Sequence, residues 1–153
     1  MSRPSWDEYF MNIAQLVKER STCLRRLVGA VLVRDKRVTA TGYNGTPTGL
    51  PHCNEGGCER CNSDIESGED LGVCACSHAE ENVIVQAALH GTSTKDTTLY
   101  TTHSPCTQCA KMIINARIAR VVASETYPDI LGTKLLSQAD IKMDHFPGND
   151  KAL

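Results

Sequence analysis

The chain lacks a basic block or arm. Its 16 Lys and Arg residues face 18 Asp and Glu residues, for a formal net charge of −2. That balance argues against a polynucleotide-binding surface, which needs clustered positive charge, and leaves a small substrate open. The chain also lacks an apolar run long enough to span a bilayer. Its first residues, Met1-Ser2-Arg3-Pro4-Ser5-Trp6-Asp7-Glu8, lack the apolar core of a secretory signal. These absences lead us to expect a cytoplasmic protein with neither a nucleic-acid nor a membrane partner. Its 153 residues, 41% of them apolar, suit a single domain spanning 1–153 with a real core.

Cysteine, by contrast, is abundant. There are eight, at positions 23, 53, 58, 61, 74, 76, 106 and 109. In a reducing compartment, clustered cysteines bind metal more often than they form disulfides.

Ser5 and Glu8 read as a capping box opening a helix over about 5–20, with Trp6, Phe10, Ile13, Leu16 and Val17 at helical spacing. Val28-Gly29-Ala30-Val31-Leu32-Val33 is a β-rich run, turned back at Asp35-Lys36 into Val38-Thr39-Ala40-Thr41. Residues 43–76 then show little periodicity and hold five cysteines. A loop of that length is unusual in a compact domain, and metal–thiolate bonds would hold it. His78 opens a second helix with Val83, Ile84, Ala87, Ala88 and Leu89 on its buried side and Gly91 as the stop. Residues 98–102 form a strand, 106–117 a third helix and 121–123 a strand. Residues 131–139 make a weaker helix and 141–146 an edge strand. The order predicts a layered α/β domain with one mixed sheet.

Two motifs carry chemistry: His78-Ala79-Glu80, and Pro105-Cys106-Thr107-Gln108-Cys109. Each begins a helix, where free N–H groups and the dipole favour thiolates, the form that binds metal. One imidazole and two thiolates supply three zinc ligands and neutralise its charge. Three protein ligands leave the fourth position open, the mark of a catalytic rather than a structural zinc. Zinc there acidifies a water near neutral pH. Glu80 is not needed as a ligand; it can take the water's proton and pass it on. These motifs resemble the signature of base deaminases, and that resemblance implies a 4-aminopyrimidine on which Glu80 would protonate ring N3, activated water would attack C4, and ammonia would leave after a second proton transfer. Of the other histidines, His90 reads as a helix-end cap and His145 as surface. His103 lies near the site with no spacing that implies ligation.

His-x-Glu followed by Pro-Cys-x-x-Cys is a signature of zinc-dependent base deaminases. Over about residues 5–146 the chain resembles the cytidine and deoxycytidylate deaminase superfamily. Three stretches resemble its dCMP branch: Val28-Gly29-Ala30-Val31, Gly42-Tyr43-Asn44-Gly45-Thr46-Pro47 and His78-Ala79-Glu80-Glu81-Asn82. The resemblance implies a three-layer cytidine-deaminase-like fold, a mixed five-stranded sheet between helices. Zinc would be held by His78, Cys106 and Cys109, with Glu80 as proton shuttle. Asn44 matches a substrate-contacting asparagine, Tyr127 a tyrosine packed on the nucleotide, and Arg26 is the candidate for the 5′-phosphate. The expected reaction is hydrolysis of dCMP to dUMP and ammonia, feeding thymidylate synthesis.

The resemblance further implies a homo-hexamer activated by dCTP and inhibited by dTTP, with the 42–47 loop near the effector site. At Tyr127-Pro128-Asp129 the chain departs from relatives that carry a basic or polar residue after the tyrosine. Pro128 fixes the backbone there and removes an N–H, which bears on whether regulation is retained. The remaining cysteines resemble a second, structural zinc site found in some members of this branch. Cys23 and Cys53 match ligand positions; Cys58, Cys61, Cys74 and Cys76 compete for the other two. Cys58 and Cys74 are preferred, because Cys74 and Cys76, neighbours-but-one along an extended segment, share a side but lie too far apart to bind one ion.

Other readings keep the chemistry and change the substrate to dCTP, free cytidine or deoxycytidine, or a tRNA adenosine. Net charge disfavours tRNA, and the 42–47 loop favours a nucleotide over a nucleoside. A reading of another class is a zinc-stabilised nucleotide-binding module without turnover. Glu80 weighs against it, since a purely structural zinc needs no adjacent carboxylate and wants a fourth ligand.

Overall fold

The computed structural model describes residues 2–126 and 129–147. The expected Tyr127 contact and the Pro128 departure therefore lie outside the described residues. Eleven elements follow in order. They are α1 (Trp6–Lys18), β1 (Gly29–Arg34) and β2 (Arg37–Tyr43), then two single 3-10 turns, Cys53–Glu55 and Leu71–Val73. After these come α2 (Ala79–Leu89), β3 (Thr98–His103), α3 (Thr107–Asn115), β4 (Arg120–Glu125), α4 (Ile130–Gln138) and β5 (Lys142–His145).

The five strands form one mixed sheet in the order β2-β1-β3-β4-β5. β1 runs antiparallel to both β2 and β3, whereas β3, β4 and β5 run parallel. Asp35 and Lys36 both take positive φ, 51° and 59°, which is the two-residue hairpin turn matched to strand twist.

Strand side chains alternate between faces, and here both faces are covered. Ala30, Leu32, Leu99 and Val121 pack against Ala79, Val83, Ala87, Ala110, Ile113 and Leu136 from α2, α3 and α4. Val31, Val33, Tyr100 and Val122 pack against Phe10, Met11 and Ala14 of α1. The result is the expected three-layer arrangement.

Side-chain facing departs from the sequence pattern in two helices. In α1 the buried line is Phe10, Met11 and Ala14, while Trp6 and Leu16 are exposed. Trp6 instead stacks on Phe10, ring centroids 5.7 Å apart, with the Lys36 ammonium over its face. In α2 the line Ala79, Val83 and Ala87 faces the sheet, and Ala88 and Leu89 face outward. The spacing of four explains this: those three share one stripe, and Ala88 and Leu89 have turned past it.

Gly42 on β2 explains how α2 sits so close. A Cβ there would lie 2.5 Å from Val83 N and 2.7 Å from Ala79 O. Only glycine lets the helix backbone settle on the strand at that point.

A polar clamp ties α1 to the sheet. The Asp7 carboxylate accepts from Tyr100 Oη at 2.7 Å and from both terminal nitrogens of Arg120 at 2.8 and 2.7 Å. Arg120 Nε donates to Asp144 at 2.7 Å. The Arg120 guanidinium holds the Asp7 carboxyl below its ordinary value of 3.8. A carboxyl depressed on folding stabilises above its unfolded pKa, and that contribution drains away as pH falls through the folded value. We predict that Arg120→Ala costs on the order of 1–2 kcal/mol at neutral pH. Denaturation measured from pH 7 downward should show Asp7→Asn converging with the parent below 3.8, the ordinary carboxyl value. A constant gap at all pH would contradict the clamp.

Candidate active site

Two helix starts converge beside the ends of β2 and β3. Beyond β2, Gly45 and Ser77 form an isolated antiparallel bridge, Gly45 N to Ser77 O 3.1 Å and Ser77 N to Gly45 O 2.8 Å. That bridge delivers the next residue, His78, to the N-cap of α2 with extended backbone (φ −77°, ψ 157°). The His78 N–H donates to Glu81 at 3.0 Å, the backbone arm of a capping box. Beyond β3, Cys106 is likewise the N-cap of α3, and Cys109 lies in its first turn. Both helices thus begin one residue later than the sequence pattern suggests, because an N-cap residue keeps extended dihedrals.

His78 Nδ1 lies 3.5 Å from Cys106 Sγ and 3.4 Å from Cys109 Sγ. Zinc–nitrogen and zinc–sulfur bonds of about 2.1 and 2.3 Å at tetrahedral angles imply an N···S edge of about 3.5 Å. The donor set fits zinc in both chemistry and spacing. The Cys109 thiol donates to Cys106 and, with His78, holds the Cys106 thiol down to about 4. The Cys106 thiolate in turn raises His78 to about 9. Each group stabilises the charged form of the other.

Glu80 is only 4% exposed. Burial pushes its carboxyl up from the ordinary value. Thr101 Oγ1 donates to Oε1 at 2.9 Å, and Cys109 Sγ stands 3.8 Å from Oε2. The carboxylate is therefore next to the donor triad without belonging to it.

These groups open onto a cavity of about 210 Å³. Arg25, Arg26, Asn44, Arg60 and His103 share its lining with His78 and Glu80. Arg26 Nη1 lies 2.6 Å from His103 Nε2, and His103 Nδ1 is 3.1 Å from Ser104 O. A guanidinium has no acceptor, so Nε2 accepts and the ring is neutral with its proton on Nδ1. Asn44 is committed to the backbone: Oδ1 accepts from Val28 N at 2.8 Å and Nδ2 donates to Arg26 O at 2.7 Å. It therefore shapes the segment that carries Arg26. His103, Arg25 and Arg60 carry no motif; only the fold gathers them here.

Asp129 was also unmarked in the sequence. Its carboxylate accepts from Thr107 N at 2.7 Å, Thr107 Oγ1 at 2.6 Å and Gly132 N at 2.9 Å. One side chain thereby fixes the starts of α3 and α4.

The other six cysteines gather behind the cavity as a mainly buried cluster. Cys23, Cys53, Cys58 and Cys74 do not form one quartet. Cys23 and Cys53 group with Cys61 and Cys76, and Cys58 and Cys74 group with the same two. Cys74 and Cys76, expected to be too far apart to share an ion, do come together. Neighbours-but-one share a side of an extended segment, and here their sulfurs converge within 4.8 Å.

The family model for the cytidine and deoxycytidylate deaminase zinc-binding region matches residues 4–125. The chain belongs to the cytidine and deoxycytidylate deaminase family. Within that family it is 45% identical over 145 residues to the deoxycytidylate deaminase of Schizosaccharomyces pombe, covering 94% of this chain and 45% of the relative. It thus spans about half the length of that relative. The deoxycytidylate deaminase of Mycobacterium phage D29 is 42% identical over 127 residues, 80% of this chain and 96% of the phage protein. The crystal structure of dCMP deaminase from cyanophage S-TIM5 with dCMP and dUMP superposes with a TM-score of 0.78. It is 31% identical, covering 95% of this chain and all of that one. The matched region is thus the family's zinc-binding region, and no helix of the described residues is long and apolar enough to cross a membrane.

Asp129→Ala removes the shared cap. Stability should fall by about 1–2 kcal/mol, and zinc should be held about 10-fold less tightly. Competition with a chromogenic chelator would measure the second effect; unchanged zinc retention would detach Asp129 from the metal centre.

Proposed function

We propose that this chain hydrolyses dCMP to dUMP and ammonia in a zinc-dependent reaction that supplies dUMP for thymidylate synthesis. The observation that carries this reading is the buried Glu80 carboxylate beside the His78, Cys106 and Cys109 donors, at a cavity lined by arginines. His78, Cys106 and Cys109 would hold the catalytic zinc. When bound, zinc supplies Lewis acidity that makes water a nucleophile near neutral pH.

Glu80 moves the protons. Its carboxylate takes one proton from the attacking water and delivers it to ring N3, while the water oxygen bonds to C4. It then takes the proton of the new C4 hydroxyl and gives it to the amino nitrogen. The C4–N bond breaks, ammonia leaves, and C4 becomes a carbonyl. Thr101 orients the carboxylate through its 2.9 Å hydrogen bond. Burial of the whole group keeps bulk water from competing for the proton.

Arg26 is the proposed 5′-phosphate ligand. Its side chain lines the cavity against neutral His103, and Arg25 and Arg60 add positive charge nearby. That supports a monophosphate over a free nucleoside. Asn44 lines the cavity and, with its amide bound to Val28 N and Arg26 O, positions the Arg26 segment.

The remaining expectations come from the family resemblance: a cytoplasmic homo-hexamer, activated by dCTP and inhibited by dTTP. Exposed Val85 and Leu89 on α2, 52% and 71% accessible, support burial of that face in an assembly. A second, structural zinc in the cysteine cluster is part of the same reading.

Incubation of the purified protein with dCMP, dCTP, deoxycytidine and CMP, following loss of the 4-amino group, tests the substrate. Turnover of dCMP above the others is expected; no turnover of any of the four in zinc-loaded protein overturns the assignment. Glu80→Gln should retain zinc and lower kcat by about 10²–10⁴-fold.

A further inference from the structure

We propose that the six cysteines outside the catalytic triad hold a two-zinc thiolate cluster, in which Cys61 and Cys76 each bridge both ions. The geometry shows two groups of four: Cys23, Cys53, Cys61 and Cys76, and Cys58, Cys61, Cys74 and Cys76. Within each group every sulfur lies within 4.8 Å of every other. The groups share Cys61 and Cys76 and use all six cysteines between them.

The coordination arithmetic fits. Two tetrahedral ions need eight metal–sulfur bonds, and six sulfurs supply them only if two serve both ions. The two shared residues are the bridges; Cys23 and Cys53 terminate one ion, Cys58 and Cys74 the other. Tetrahedral zinc with bonds of about 2.3 Å sets sulfur–sulfur edges of about 3.8 Å. Cys58 to Cys74 is 3.8 Å and Cys61 to Cys74 is 3.9 Å. These separations are too long for disulfides, and all six cysteines are free. An iron–sulfur cluster would hold its thiolates farther apart, because sulfide-bridged irons sit between them.

Charge also fits. Six thiolates around two divalent zinc ions leave a net −2. Backbone N–H groups of Arg25 and Arg26 meet the Cys23 sulfur, and Ala75 N donates to Cys58 Sγ at 3.3 Å. The side chains of Arg25, Arg26 and Arg60 line the cavity that Cys23, Cys61, Cys74 and Cys76 also line. The cluster therefore forms the back wall of the active cavity and offsets its arginines. It also explains how the long segment between β2 and α2 is held with only two 3-10 turns of its own.

This inference uses the proposed catalytic zinc only in the total. Native mass spectrometry with elemental analysis of the purified full chain counts the ions. Three zinc ions per chain are expected. Cys58→Ser/Cys74→Ser, which removes the terminal ligands of one ion only, should leave two. Two ions in the parent and two in that variant would overturn the cluster and leave a single structural zinc. One ion in the parent would overturn the cluster and the structural zinc together, while turnover of dCMP would still report on the catalytic reading. Iron in place of zinc, seen as visible absorption, would also overturn it.

Discussion

His78 Nδ1 meets the sulfurs of Cys106 and Cys109 across 28 and 31 residues of chain. Most of the fold can be understood as the means of holding that meeting. Parallel pairing of β3 with β4 requires a crossover, and α3 is that crossover, so Cys106 emerges where β3 ends. Gly42 lets α2 press on β2, and the Gly45–Ser77 bridge sets where α2 begins. Asp129 pins the start of α3 from the far side. Each constraint is modest. Together they place three donors from two helices to within tenths of an ångström of zinc geometry.

Glu80 shows what such a site costs the fold. A carboxylate at 4% exposure loses its hydration, a penalty of several kcal/mol before compensation. Its visible compensation is the Thr101 hydroxyl and the positive end of α2. Burial raises the carboxyl above its ordinary value, while the backbone hydrogen bond at the helix start and Thr101 oppose that rise. The hydrophobic layers on both faces of the sheet supply the stability that tolerates this.

The two ends of the cavity are built by different physics. The side facing the sheet rests on close-packed aliphatic side chains. The side formed by the loop between β2 and α2 has no such core. It is held by sulfur contacts, by Asn62 donating to the Cys53 and Cys58 carbonyls at 2.9 and 2.7 Å, and by Arg60 Nε donating to Glu69 O at 2.8 Å. Its packing thus rests on cysteine side chains and backbone hydrogen bonds, where the other side rests on an aliphatic core.

By itself the sequence determined the α/β layering, nearly every element and the grouping of His78, Cys106 and Cys109. Those signals are local: strand and helix periods, caps, and Cys-x-x-Cys spacing all act within a few residues. Tertiary structure alone decided which cysteines come together, because sulfurs from separate loop segments meet only after the chain closes on itself. It alone brought His103, Arg25 and Arg60 to the cavity and made Asp129 a cap for two helices. It also turned Ala88 and Leu89 outward, since which stripe of α2 is buried depends on how the His78 end is anchored. Such partners are distant in sequence, and no local pattern records a contact that loop closure creates.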